Sequence, residues 1–163
     1  MSGLYGADQF YDQIIHAYEN GMEGGLSTGY QELDALYTIG TGQITIITGI
    51  PGAGKSELLD QLMVNLASQH DWRFAVCSFE NEPRIHIPKL MSKKLRKNFW
   101  TQQVSREELD DAFGWVRQHF SFLYHADGTL SSMDSILESL QVAVMRYGIR
   151  GWIIDPYNFI LRA

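Results

Sequence analysis

One octapeptide constrains this chain more than any other feature: Gly49-Ile50-Pro51-Gly52-Ala53-Gly54-Lys55-Ser56. It fits G-x-x-x-x-G-K-[ST] in full. The β-branched run Ile44–Thr48 before it reads as a buried strand. Ser56–Ala67 after it reads as a helix, with Leu58, Leu59, Leu62, Met63 and Leu66 along one side. A polyphosphate carries several charges, so a loop that holds one must offer many donors at short range. Gly49, Gly52 and Gly54 let the backbone turn tightly and approach without a Cβ in the way. The N–H groups of Gly54, Lys55 and Ser56 then point inward at a helix N-terminus. Lys55 adds a mobile positive charge for the outer phosphates, and the Ser56 hydroxyl is suited to ligate Mg²⁺. With Glu57 in the first helical turn, residues 49–57 form the expected site for ATP or another nucleoside triphosphate.

Two carboxylates extend the pattern. Asp155 ends the apolar run Trp152-Ile153-Ile154, where a carboxylate can hold the water shell of Mg²⁺ beside Ser56. The plainer alternative is an Asp that only initiates the Pro156 turn. Glu80 follows the apolar run Phe74–Phe79. Ligands of α/β sheets gather at the carboxyl ends of strands, so Glu80 is the expected base for an attacking water. Glu82 is its rival, and a solvated loop carboxylate is the bland reading of both.

The remainder of the chain alternates strand and helix. Asp8–Glu19 reads as an amphipathic helix with Phe10, Tyr11, Ile14, Ile15 and Tyr18 on one face, and Glu23-Gly24-Gly25 reads as a flexible joint. This sets expected domains of 1–22, an arm, and 23–163, a core. Pro83 and Pro88 bracket the start of a basic helix. Ser105-Arg106-Glu107-Glu108 has the form of a capping box opening a helix to about His119. Phe122–Tyr124 reads as a strand, Met133–Tyr147 as a helix stopped by Gly148, and Trp152–Ile154 as a last strand. The alternation implies an α/β domain with a mainly parallel sheet.

Composition narrows the class further. The chain has 163 residues, 45% of them hydrophobic and a formal net charge of −6, which suits a globular domain without a general nucleic-acid footprint. The single cysteine, Cys77, lies in an apolar run and is expected buried; it allows no intrachain disulfide and no Cys-rich zinc site. The five His residues show no metal-ligand spacing. Arg84, Lys89, Lys93, Lys94, Arg96 and Lys97 are expected on the wet face of a helix, with a DNA contact as the alternative, and Tyr147, Trp152 and Tyr157 in packing. Met1–Gln9 has no signal-peptide character, and no run is long enough for a membrane span. The expected setting is cytoplasmic, in a bacterial or phage-infected cell or an organelle, with no membrane partner.

In order and spacing, Leu26-Ser27-Thr28-Gly29-Tyr30 with Leu33-Asp34, the glycine loop, Ser78-Phe79-Glu80 and Ile153-Ile154-Asp155 resemble the RecA-like motor of DnaB-type replicative helicases. The likeness is closest to Twinkle-like and phage primase-helicases, and runs from about Leu26 onward. The resemblance implies a RecA-like, three-layer αβα P-loop NTPase fold and a 5′–3′ hexameric DNA helicase. It casts Lys55 and Ser56 as nucleotide and metal ligands, Glu80 as catalytic base and Asp155 as the Walker B carboxylate. It further implies that Asp8–Glu19 docks on a neighbouring subunit of a homo-oligomeric ring, and that single-stranded DNA is a partner of the full-length protein. The γ-phosphate sensor, DNA loops and arginine finger would lie beyond Ala163, and a primase-like or toprim part before the motor. A further strand would belong between Ile44–Thr48 and Trp152–Ile154, so both edges are expected open in this chain. Other RecA-like ATPases, such as a recombinase or a KaiC-like protein, stay open as alternatives, as does a nucleotide-binding module without turnover.

Overall fold

The computed structural model describes residues 5–20, 24–101, 103–124 and 132–157. The chain forms two compact units, Met1–Gln43 and Ile44–Ala163. In the first, a 3₁₀ turn at Ala7–Phe10 leads into helix α1, Tyr11–Asn20. Tyr11, Ile14 and Tyr18 are exposed on it. The joint expected at Glu23-Gly24-Gly25 lies partly outside the described residues, but Gly25 itself is pinned. Its N–H donates to Thr38 Oγ1 at 3.0 Å, and an added Cβ would meet the Ile39 backbone at 2.8 Å. Leu26 and Ile39 exchange backbone hydrogen bonds at 2.7 and 3.0 Å. The segment between them holds a short helix, α2, Gln31–Asp34. Asp34 fastens it: its carboxylate accepts Ser27 Oγ at 2.5 Å, Thr28 Oγ1 at 2.6 Å and Thr28 N–H at 2.7 Å. The Ser27 bond, then those of Thr28, hold the Asp34 carboxyl below its ordinary value.

The second unit contains α3 (Lys55–His70), β1 (Phe74–Ser78), α4 (Pro83–Leu95), α5 (Arg106–His119), β2 (Phe120–Phe122), α6 (Met133–Tyr147) and β3 (Gly151–Asp155). The strands form one parallel sheet in the order β2-β1-β3. Phe74 pairs with both Phe120 and Gly151, and Ser78 with Asp155. Alternation along the strands sends Ala75 and Cys77 to one face, where they pack with Ile136 and Leu140 of α6 and with Ile149. Burial pushes the Cys77 thiol above its ordinary pKa, as expected of a small buried hydrophobe. Phe74, Phe120 and Phe122 take the opposite face. Trp115 of α5 meets Phe120 with ring centroids 5.6 Å apart, and His86 of α4 meets Phe122 at 5.9 Å. α3 joins that layer through a buried contact, His86 Nε2 to Asp60 Oδ1 at 2.7 Å. The result is α/β in three layers: α6, the sheet, and α3 with α4 and α5.

Several expectations need correction. Ile44–Thr48 is not a buried strand: it makes no ladder among the described residues, and Ile44 and Ile46 are 91% and 82% exposed. β-Branched side chains favour extended backbone, but a strand forms only against a partner. The strand expected at Phe122–Tyr124 starts two residues earlier, because α5 runs straight into β2 through Phe120 as C-cap. Pro88 lies inside α4, not at its border. Tyr147, Trp152 and Tyr157 are 53%, 43% and 59% exposed, so packing is not their main role.

Candidate functional site

The loop between Ile44–Thr48 and α3 turns as its glycines require. Gly52 and Gly54 have φ of +76° and +84°, where a side chain would be strained, and the space a Cβ would occupy is open at both. Gly54 is the N-cap of α3 and offers no side-chain acceptor, so the first-turn N–H groups keep the donor character of a bare helix N-terminus. Lys55 Nζ closes the loop on itself, donating to the carbonyls of Gly49 and Ile50 at 3.0 Å each. Ile50 is largely exposed, as are Pro51 and Ala53, while Ser56 is half-buried in the first turn.

Glu57, grouped by sequence with the phosphate-facing residues, turns elsewhere. Its carboxylate accepts Lys93 Nζ at 2.6 Å and lies 3.5 Å from Lys89 Nζ, both on α4. The Lys93 hydrogen bond is the main reason its carboxyl sits below the usual range. Lys89 Nζ also reaches Asn81 Oδ1 at 3.3 Å. One ammonium therefore ties the first turn of α3 to the segment leaving β1, one residue past Glu80. Lys89 and Lys93 are thus not simply a wet face; Lys93 is only 16% exposed at its side chain. Sequence reading missed this bracket. The signal available was the i, i+4 spacing of the two lysines, which puts them on one side of a helix.

Glu80 lies just beyond the carboxyl end of β1 and is exposed. Asp155 closes β3, in register with Ser78, and its carbonyl accepts the Phe79 N–H at 2.9 Å. By the same alternation Asp155 and Ser78 face the layer that holds α3 and α4, not α6. Glu80 and Asp155 therefore stand at the carboxyl ends of neighbouring strands, and the Glu57–Lys89–Asn81 bracket brings the start of α3 to that end. Glu82, the rival to Glu80, is engaged: Arg84 Nε donates to it at 2.5 Å as the chain enters α4. Two further basic groups, at the end of α4 and just past it, are also occupied. Lys97 pairs with Glu108, and Lys94 Nζ sits 4.5 Å from the centre of the Trp115 ring.

No family model matches the chain. Among the described residues no helix is long and apolar enough to cross a membrane. The chain is 41% identical over 165 residues to the Twinkle homolog protein, chloroplastic/mitochondrial, of Arabidopsis thaliana; the match covers 96% of this chain. The chain spans 23% of that relative's length. Over nearly all of its residues it is thus similar to a Twinkle protein, the group that its motif order resembles.

Proposed function

We propose that this chain is the nucleotide-handling part of a ring-forming replicative DNA helicase, binding and hydrolysing ATP or another nucleoside triphosphate with Mg²⁺. One observation carries the reading: the glycine-loop helix, Glu80 and Asp155 share the carboxyl end of the sheet, joined by the Glu57–Lys89–Asn81 bracket and the Phe79–Asp155 bond. That is where α/β sheets take their ligands. The residues fit a phosphate chain. Gly52 and Gly54 leave open space above the loop, and Lys55 carries a charge bonded only to neutral carbonyls, which it can exchange for phosphate oxygens. Ser56 and Asp155 would hold the metal, whose charge offsets that of the phosphates when bound.

In this reading Glu80 orients a water and accepts its proton, since it is exposed and makes no ion pair with a described residue. The likeness to the Twinkle homolog supports the helicase assignment over a recombinase, and its name places that protein in organelles, a setting equally open to this chain. Single-stranded DNA and neighbouring copies of the ring would be partners of the full-length protein.

Titration of a fluorescent ATP analogue tests the site. Lys55→Ala is expected to weaken binding about ten- to a hundredfold, the worth of a charge-assisted contact. Glu80→Gln is expected to leave binding intact and slow the hydrolytic step of the full-length protein about 10²–10⁴-fold. Equal affinity for the parent and Lys55→Ala would overturn the nucleotide site; parental turnover by Glu80→Gln would move the base elsewhere.

A further inference from the structure

The opposite end of the sheet carries a second concentration of charge. Arg73 precedes β1, Arg117 and Arg146 sit in the last turns of α5 and α6, and Arg150 precedes β3. In a chain of net charge −6 these four arginines are conspicuous for lacking counterions among the described residues. Among the described residues no carboxylate pairs with any of them, whereas Arg84, Lys89, Lys93, Lys97 and Arg106 all have acidic partners. Arg96, beyond α4, is the other described arginine without one. Basic groups do suit helix C-termini, but Arg73 and Arg150 are on no helix.

Arg73 and Arg117 line one cleft of about 270 Å³, with Gln118, Ser121 and Tyr147. Arg73 spends one donor on the Tyr147 carbonyl, at 3.0 Å, which steadies its guanidinium; its other N–H groups have no partner among the described residues. His119, at the cleft wall, is already taken up by the Trp115 carbonyl at 2.8 Å and by Asp71 at 2.9 Å. Asp71 is the one carboxylate bonded to a cleft residue among those described, and it is directed to that histidine. The free donors are therefore two guanidiniums, a hydroxyl and a side-chain amide. The volume falls just below the range of about 300–1,000 Å³ typical of small-molecule pockets, so it suits one anionic group and not a whole cofactor.

We propose that this cleft is a phosphate-binding site, separate from the glycine loop and at the other end of the sheet. Neither guanidinium has a carboxylate partner among the described residues, and a phosphate oxygen pair can accept their planar, forked donors. Ser121 and Gln118 supply neutral donors to the remaining oxygens. The phosphate is supplied either by the backbone of a single-stranded nucleic acid or by a free phosphate compound.

The test uses the whole chain carrying Lys55→Ala, so that the glycine loop competes less. A labelled oligothymidylate is followed by anisotropy and inorganic pyrophosphate by calorimetry. Arg117 is exposed and unpaired, so Arg117→Gln should fold normally, which circular dichroism checks. It is expected to weaken binding about three- to tenfold and to lower the oligonucleotide salt slope by about 0.7. Arg96→Gln, an unpaired arginine outside the cleft, should change neither. Binding that Arg117→Gln weakens supports the site: of the oligonucleotide alone, it assigns the site to nucleic-acid backbone; of pyrophosphate alone, to a free phosphate compound. Failure of both probes to bind, binding unchanged by Arg117→Gln, or equal losses in Arg117→Gln and Arg96→Gln, would overturn it.

Discussion

Glu57 shows how tertiary contacts can direct a side chain that its neighbours in sequence place at the loop. It follows Lys55 and Ser56 directly, yet its carboxylate faces α4 and not the open loop. Its carboxyl is held below the usual value, so the sign of its pH dependence follows. The ion pair contributes above the unfolded value near 4.5 and is lost as pH falls through the lower folded value. The side chain is 56% exposed, so screening keeps the contribution to about 0.5–1 kcal/mol. Glu57→Gln should therefore lower stability by that amount at neutral pH and leave the difference near zero in strong acid. Urea melts of both proteins at neutral and acid pH check it; a difference unchanged by acid would show that the Lys93 contact does not matter. Gly151 is constrained in another way, since a Cβ there would fall on the Phe74 ring. Its smallness is set by a cross-strand neighbour that is 77 residues away in sequence.

At the scale of elements, the helices followed their local signals. α5 opens with the capping box expected at Ser105: Ser105 Oγ accepts the Glu108 N–H at 3.1 Å, and Glu108 accepts the Ser105 N–H at 2.9 Å. Glu108 is also gripped by Lys97, which with the Ser105 bond holds its carboxyl low. Ser105→Ala should cost about 1 kcal/mol and lower Tm by about 2–4 °C. A Tm unchanged in differential scanning calorimetry would mean the helix start is held by tertiary contacts instead. α6 ends at Gly148 with φ +65°, the stop read from sequence. The strands were less legible at their ends. A short apolar run reads alike over several registers, and pairing selects one of them. Phe120 joins the sheet because it lies opposite Phe74, with the rings stacked 5.8 Å apart.

For the molecule as a whole, the sheet has three described strands, and among them β3 pairs with β1 alone. Among the described residues Ile44–Thr48 joins no ladder, and Ile44 and Ile46 are largely exposed. Open edges and exposed β-branched runs are templates for pairing with another chain. The isolated chain is accordingly expected to self-associate as concentration rises. Ile46→Lys should suppress this without altering nucleotide affinity, because charge on an exposed β-branched run opposes edge pairing. Light scattering over a concentration series checks it, and identical mass profiles for the two proteins would place the association elsewhere.

The glycine loop, the helix it opens and the strands before Glu80 and Asp155 were set by sequence alone, because each is a local pattern of turn chemistry and apolar period. So was the helix content of α1, α5 and α6. Tertiary structure decided which of those residues meet. Lys89, read as a solvated lysine, spans Glu57 and Asn81. Asp60 and His86, unremarkable in sequence, are buried together at 2.7 Å. The Phe79–Asp155 bond joins two strand ends. The reason is one of range: capping and periodicity act within a few residues, whereas ion pairs, strand partners and the charge at each end of a sheet depend on segments brought together only by folding.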